Sequence, residues 1–348
     1  VVLTAAAIPG YRFVGWSGVC TGTGVCNLTM TADFAVTATF SSIALTQLVV
    51  TPASATIGVG QLQPFKATAS FTAGPDRVVS PASALELGDN YSCGLLINGT
   101  VKCWASFATP PPSPPAPVTI AGLSDVVSLG AGTSQVCAVL ANGTVKCLGS
   151  GYLGDGPPTS STTPVTVSGI STATAVVVGA GNTHACVLLA DRTIQCWGPG
   201  GLIGDGTGVT SQTPVPVVGI TNAVAISSEG GLHTCALLAD RTIQCWGASP
   251  LGQLGNNGGV GSLTPVAIPE ITDATAVAAG SSHTCAIVGS GAVKCWGGNF
   301  FGQLGDGTMG QASATPVDVL GITNAVAIAT GDFHSCALLA DGSVKCWG

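Results

Sequence analysis

The sequence predicts an all-β protein, a β-propeller preceded by a small N-terminal β module. Three observations carry this prediction. One unit recurs six times, with its first cysteine at Cys93, Cys137, Cys186, Cys235, Cys285 and Cys336, so the spacings are 44, 49, 49, 50 and 51 residues. Each unit breaks into short apolar runs separated by turns rich in Gly, Pro and Asp, and four short strands in about 50 residues describe a propeller blade. Each unit also holds two cysteines with nine residues between them, a spacing that suits the two arms of one hairpin.

The elements of the unit follow in order. A run of small apolar residues comes first, such as Ala325–Ala329, then a Gly three residues ahead of a His. The stretches His233–Gly247 and His334–Gly348 then run nearly in parallel, each reading His-x-Cys-Ala-Leu-Leu-Ala-Asp and ending in Cys-Trp-Gly. A three-residue turn with Gly in the left-handed position fits Ala340-Asp341-Gly342. Centring the hairpin there sets Leu338 opposite Val344 and Cys336 opposite Cys346. Directly opposed residues share a face and lie within disulfide reach. Twelve of the 14 cysteines pair in this way: Cys93 with Cys103, Cys137 with Cys147, Cys186 with Cys196, Cys235 with Cys245, Cys285 with Cys295 and Cys336 with Cys346. Each closure contributes about 3 kcal/mol by loop entropy, and such staples point to an oxidising compartment. A Gly-rich loop follows the Trp, as at Gly302–Gly307, and then a Thr-Pro-Val strand, as at Thr315–Val317. Trp347 points away from the cysteines and reads as packing between blades.

Zinc is the competing reading of the cysteines, because His184, His233, His283 and His334 each stand two residues before one. Tyr91 and Gln135 take that place in the first two units, which keep both cysteines. The pair therefore does not need the His, and the histidines read as packing or hydrogen-bonding groups inside each unit. No metal and no cofactor is expected.

These residues carry a resemblance. The pattern Gly-x-x-His-x-Cys-Ala-Leu, Gly-x-Val-Lys-Cys-Trp-Gly, Gly-Gln-Leu-Gly-Asp-Gly, Pro-Val is similar to the regulator-of-chromosome-condensation repeat, in its Cys-paired bacterial extracellular version. The resemblance covers residues 82–348. It implies a propeller, usually of seven blades; six hairpins give six or seven here. The first unit departs from the pattern, with Pro110–Pro115 standing where Gly-Gln-Leu-Gly is expected, a stiff extended loop. Residues 1–42 resemble part of an internalin B-repeat-like β module, through Pro9–Cys20, Cys26 and Val36–Phe40; the resemblance implies a Cys20–Cys26 disulfide. Residues 43–81, with Leu48–Gly60 and Phe65–Ala69, resemble part of a bacterial group 2 immunoglobulin-like domain, or a linker that completes the propeller.

Composition narrows the function. Charged residues are 7% of the chain, and 9 Lys+Arg against 16 Asp+Glu leave a net charge of −7. Scattered basic residues make no phosphate-binding patch, so nucleic acid is not expected as a partner. No apolar run reaches the length of a transmembrane helix, so no membrane insertion is expected. The chain opens on Val1-Val2, which reads as a processed product or a fragment. Asn27, Asn90, Asn98 and Asn142 fit the glycosylation sequon. Two Gly-x-Gly-x-x-Gly matches, at Gly149–Gly154 and Gly305–Gly310, open no helix, and Asp155, Asp205 and Asp306 belong to Asp-Gly turns. With no nucleophile elbow, zinc-protease motif or phosphate loop, the chain reads as a non-enzyme.

A surface poor in charge favours self-association. The favoured reading is a secreted or cell-surface structural or adhesive protein, assembling into a fibre or surface layer through its incomplete β modules. The alternative is a secreted propeller that recognises a protein or glycan as an inhibitor does, with Tyr152, Phe300 and Phe301 as its binding rim. The nucleotide-exchange and chromatin role of eukaryotic relatives is opposed by the paired cysteines and the acidic surface.

Overall fold

The computed structural model describes residues 82–88, 91–105, 117–157, 160–179, 181 and 183–348, together with the earlier strands given next. The chain divides into two units, Val1–Pro81 and Ala82–Gly348. In the first, Val2–Leu3 pairs with Cys26–Asn27, Arg12–Gly18 with Val36–Ser41, and Leu45–Thr51 with Lys66–Phe71, all antiparallel. The Cys20–Cys26 pairing and the proline run Pro110–Pro115 fall outside the described residues.

The second unit is a six-bladed β-propeller, each blade an antiparallel meander. Blade one comprises Ala82–Leu87, Tyr91–Leu96, Val101–Ala105 and Val118–Thr119. Blade two comprises Val126–Ala131, Gln135–Leu140, Val145–Ser150 and Ser160–Thr166. Ala173–Val178, Ala185–Leu189, Ile194–Gly198 and Ser211–Pro216 make blade three. Ala223–Ser227, His233–Leu238, Ile243–Gly247 and Ser262–Ala267 make blade four. Blade five has Ala274–Ala279, His283–Val288, Ala292–Gly297 and Ser313–Asp318; blade six has Ala325–Thr330, Ser335–Leu339 and Val344–Trp347. Among the described residues no helix is long and apolar enough to cross a membrane.

The second strand of blade four is buried at every position. A strand covered on both faces needs no alternation of apolar and polar residues, which is why these runs read as continuously apolar. In all six hairpins the two cysteines stand directly opposite one another and are bonded, with Cα atoms 4.1 Å apart. Where third and fourth strands meet, the register slips between Cys196 and Gly198, Cys245 and Gly247, and Cys295 and Gly297. The tryptophan between them is the residue left out of the pairing. Such a bulge increases local twist and leaves Trp197, Trp246 and Trp296 fully buried.

The core lies between blades. Cys235, Leu237, Ile243, Cys245, Leu254, Ile268 and Ile271 from blade four and its outgoing loops pack on Ala274, Ala279, Ala286, Val288 and Trp296 of blade five. Small residues stand on the inner strands, where wedge-shaped blades converge, and the large indole stands further out. The disulfides of blades one to five therefore sit inside inter-blade cores as apolar fillers as well as staples. Blades one and six each keep one bare face. Leu85 and Leu87 occupy the places that Val176 and Val178 hold in blade three, yet are 55% and 66% exposed where the valines are buried. Leu338 and Val344 of blade six are likewise exposed, while their counterparts Leu237 and Ile243 are buried.

Candidate functional site

In an antiparallel meander, the connections between strands one and two and between strands three and four emerge at the same end. This end of the propeller carries the most distinctive surface of the described residues. The loop after Trp296 is held rigidly: Leu304 N donates to Asn299 Oδ1 at 3.1 Å, Asn299 Nδ2 donates to Thr308 Oγ1 at 3.0 Å, and Phe301 N donates to Gln303 Oε1 at 2.8 Å. Asn299 and Gln303 are fully buried, so the scaffold of the loop is inside and its hydrophobic residues are outside. Phe300, Phe301 and Met309 are more than half exposed. Phe333, from the neighbouring loop of blade six, is exposed as well, and its ring centroid lies 4.8 Å from that of Phe301. The two rings form an exposed aromatic ridge, with Phe300 next to it in sequence.

Tyr152 does not join it. It is half-buried against the core between blades two and three, and its carbonyl accepts from Gln135 Nε2 at 2.7 Å and Trp197 Nε1 at 2.9 Å. The histidines also differ from expectation. Three of them reach across to the next blade: His184 Nε2 lies 2.9 Å from Thr234 Oγ1, His233 Nε2 2.8 Å from Thr284 Oγ1 and His283 Nε2 2.8 Å from Ser335 Oγ, while His184 Nδ1 also lies 3.2 Å from Thr183 Oγ1 inside its own unit. Burial lowers His184 and His283 to about 4, so these rings are neutral structural groups.

Beside the ridge lies a group of carboxylates that the sequence did not single out. Glu229 stands in the loop between Ser227 and His233, and its N–H donates to Ala279 O at 2.6 Å. Its carboxylate accepts the N–H of Thr330 from blade six. The residue meets solvent, but the protein around the carboxyl displaces part of its hydration and raises it to about 7. Glu86 of blade one is raised to about 7 as well, first by burial and then by the charge of Glu229. Asp332, next to Phe333, places Oδ1 3.4 Å from where a Cβ on Gly230 would stand. Glu86 and Glu229 interact electrostatically, Asp332 approaches the residue after Glu229, and Phe333, next in sequence, packs on Phe301. A sequence signal for it did exist: His233 follows Ala223 by ten residues in blade four, while His283 follows the equivalent Ala274 by nine in blade five. The extra residue falls in the loop that holds Glu229.

Sequence comparison identifies regulator of chromosome condensation (RCC1) repeats at residues 244–287, 274–303 and 325–348, and a divergent InlB B-repeat domain at residues 1–44. No characterised protein matches the chain by sequence. Among solved structures, Prp20p from Saccharomyces cerevisiae, described with its binding properties to Gsp1p and histones, is similar at 20% identity and a TM-score of 0.65. That match covers 74% of this chain and 68% of Prp20p. Human WBSCR16 is similar at 17% identity and a TM-score of 0.67, over 85% of this chain and 82% of that one. At these identities the likeness is one of fold. It corrects one expectation. The chain was read as a non-enzyme, but its propeller is shared with Prp20p, a nucleotide exchange factor, so that exclusion does not stand.

Proposed function

We propose that the chain is a secreted or surface-exposed protein-binding propeller that recognises its partner through the end bearing the Phe301–Phe333 ridge. The single observation carrying this reading is the ridge itself: large apolar rings held in solvent by a loop whose polar scaffold is buried. Exposed aromatic groups on a rigid support lose little entropy on binding and are favoured as interface anchors. Six disulfides and the B-repeat domain at residues 1–44 support an oxidising, extracellular setting. Differential capture tests the proposal. Secreted and surface proteins retained by the immobilised chain are compared with those retained by a Phe301→Ala/Phe333→Ser variant. Proteins lost selectively from the variant are the expected result; identical sets would overturn it.

A second reading, self-association, is favoured by the bare blade faces at Leu85 and Leu87 and at Leu338 and Val344, because apolar patches of this kind mark interaction sites. Sedimentation velocity over a hundredfold range of concentration distinguishes it. Growth of the sedimentation coefficient that Val344→Glu abolishes supports this reading, and a concentration-independent monomer removes it.

A further inference from the structure

The ridge and the carboxylates beside it form one surface, and their chemistry is complementary to a particular kind of segment. We propose that this end of the propeller binds a basic, apolar segment of its partner. A guanidinium or ammonium group sits among Glu86, Glu229 and Asp332, and a neighbouring apolar side chain lies on the Phe301–Phe333 pair. The proposal rests on the reading of the ridge as a protein-binding surface and names the chemistry of what it takes.

Three observations carry it. First, the carboxylates lack a counter-charge: among the described residues the only ion pair is Lys294 with Asp318, at 2.7 Å. Arg192 and Arg241 lie in the hairpin turns between the second and third strands of blades three and four, at the opposite end of the propeller. Second, Glu229 and Asp332 come from different blades yet converge, Glu229 on Thr330 N and Asp332 on Gly230, so the charge is concentrated by the fold rather than by sequence. Third, the aromatic pair adjoins these carboxylates through the peptide bond between Asp332 and Phe333. One short segment therefore spans both. Arginine suits the site better than lysine, because its planar fork pairs with two carboxylates at once and its face stacks on an aromatic ring. With a net charge of −7, the chain also attracts such a segment at long range.

The test uses the full oxidised chain to select from a phage-displayed library of random linear heptapeptides. Enrichment of Arg or Lys within two positions of Phe, Trp, Leu or Met is expected. The strongest clones, made as labelled peptides, bind a Glu229→Gln/Asp332→Asn variant at least tenfold more weakly and lose binding to Phe333→Ser. Serine is chosen because Ser282 fills that place in blade five. Near-ultraviolet circular dichroism confirms that each variant keeps its tertiary packing. No enrichment, enrichment of neutral or acidic sequences, or clones indifferent to the Glu229→Gln/Asp332→Asn pair would overturn the proposal. Clones that need Phe301 and Phe333 but ignore the carboxylates overturn it while leaving the ridge reading intact; partner capture that ignores both removes the ridge reading itself.

Discussion

His233 Nε2 in blade four lies 2.8 Å from Thr284 Oγ1 in blade five. The same hydroxyl donates to Gln253 O at 2.9 Å, so its proton is engaged and it must accept from the ring. His233 therefore carries its proton on Nε2 and is neutral, in keeping with a pKa lowered to about 3 by burial and by the nearby His184 and His283. Thr284→Val removes both bonds, leaving the ring N–H without an acceptor and the Gln253 carbonyl with Trp296 Nε1 as its remaining side-chain donor. Loss of about 1–3 kcal/mol of stability is expected, read from the midpoint of urea unfolding. A variant as stable as the wild type would show that the bond between blades carries no net stability.

Close approach of backbone between blades makes a second position sensitive. A Cβ on Gly231 would stand 2.3 Å from Gly280 O and 2.9 Å from His233 Nδ1. Neither atom can move away without shifting a blade. Gly231→Ala is expected to cost about 1–3 kcal/mol. Gly259→Ala, where nothing lies within 4 Å, is expected to be neutral or to stabilise by less than about 1 kcal/mol. Paired thermal melts of the two variants check the contrast.

Accessibility separates the six staples. The cysteines of blades two to five are fully buried, whereas Cys336 is half-buried and Cys346 exposed. Thiol exchange requires attack on an accessible sulfur. Limited reduction at neutral pH followed by alkylation and peptide mass spectrometry is expected to label Cys336 and Cys346 first. Uniform labelling of all pairs would mean that reduction follows global unfolding instead.

The raised carboxyls give stability a defined pH dependence. Glu229 titrates near 7 in the folded protein against 4.5 for the ordinary side chain. Between those values the folded state holds more protons than the unfolded chain, so stability falls as pH rises through that window. Glu229→Gln is expected to melt at a higher temperature than the wild type at pH 8 and at the same temperature at pH 4. The effect is modest, because the side chain meets solvent. Equal melting at both pH values would place Glu229 in ordinary hydration.

The hairpins were legible in the sequence because the constraint was local. A turn at Asp341-Gly342 and a period of two along each arm leave one way to place Cys336 opposite Cys346, and the observed register also sets Leu338 opposite Val344. Inter-blade packing of the tryptophans followed from the same alternation. The histidine contacts were not legible, because the partner of His233 lies 51 residues away and a repeat pattern does not say whether a side chain bonds within its unit or to the next. Glu86 and Glu229 escaped notice for a related reason: they come from blades one and four, and only the curved succession of blades brings such distant residues near enough to interact. Phe301 was singled out as an exposed aromatic, but its pairing with Phe333 depends on the juxtaposition of two loops in adjacent blades.

The opposed cysteines also set how the molecule transmits tension. Pulling on the backbone to either side of a blade loads the chain at Cys235 and again at Cys245, and the bond between them carries the force directly from one to the other. The turn at Asp240–Thr242 is left out of the path. Each of the six cross-links short-circuits its hairpin in this way, so stretching can lengthen only the inner strands, the outer strands and the connectors. An oxidised chain is therefore shorter at full extension than its residue count implies. It unravels in steps whose size is fixed by the repeat and becomes longer only when the sulfurs are reduced.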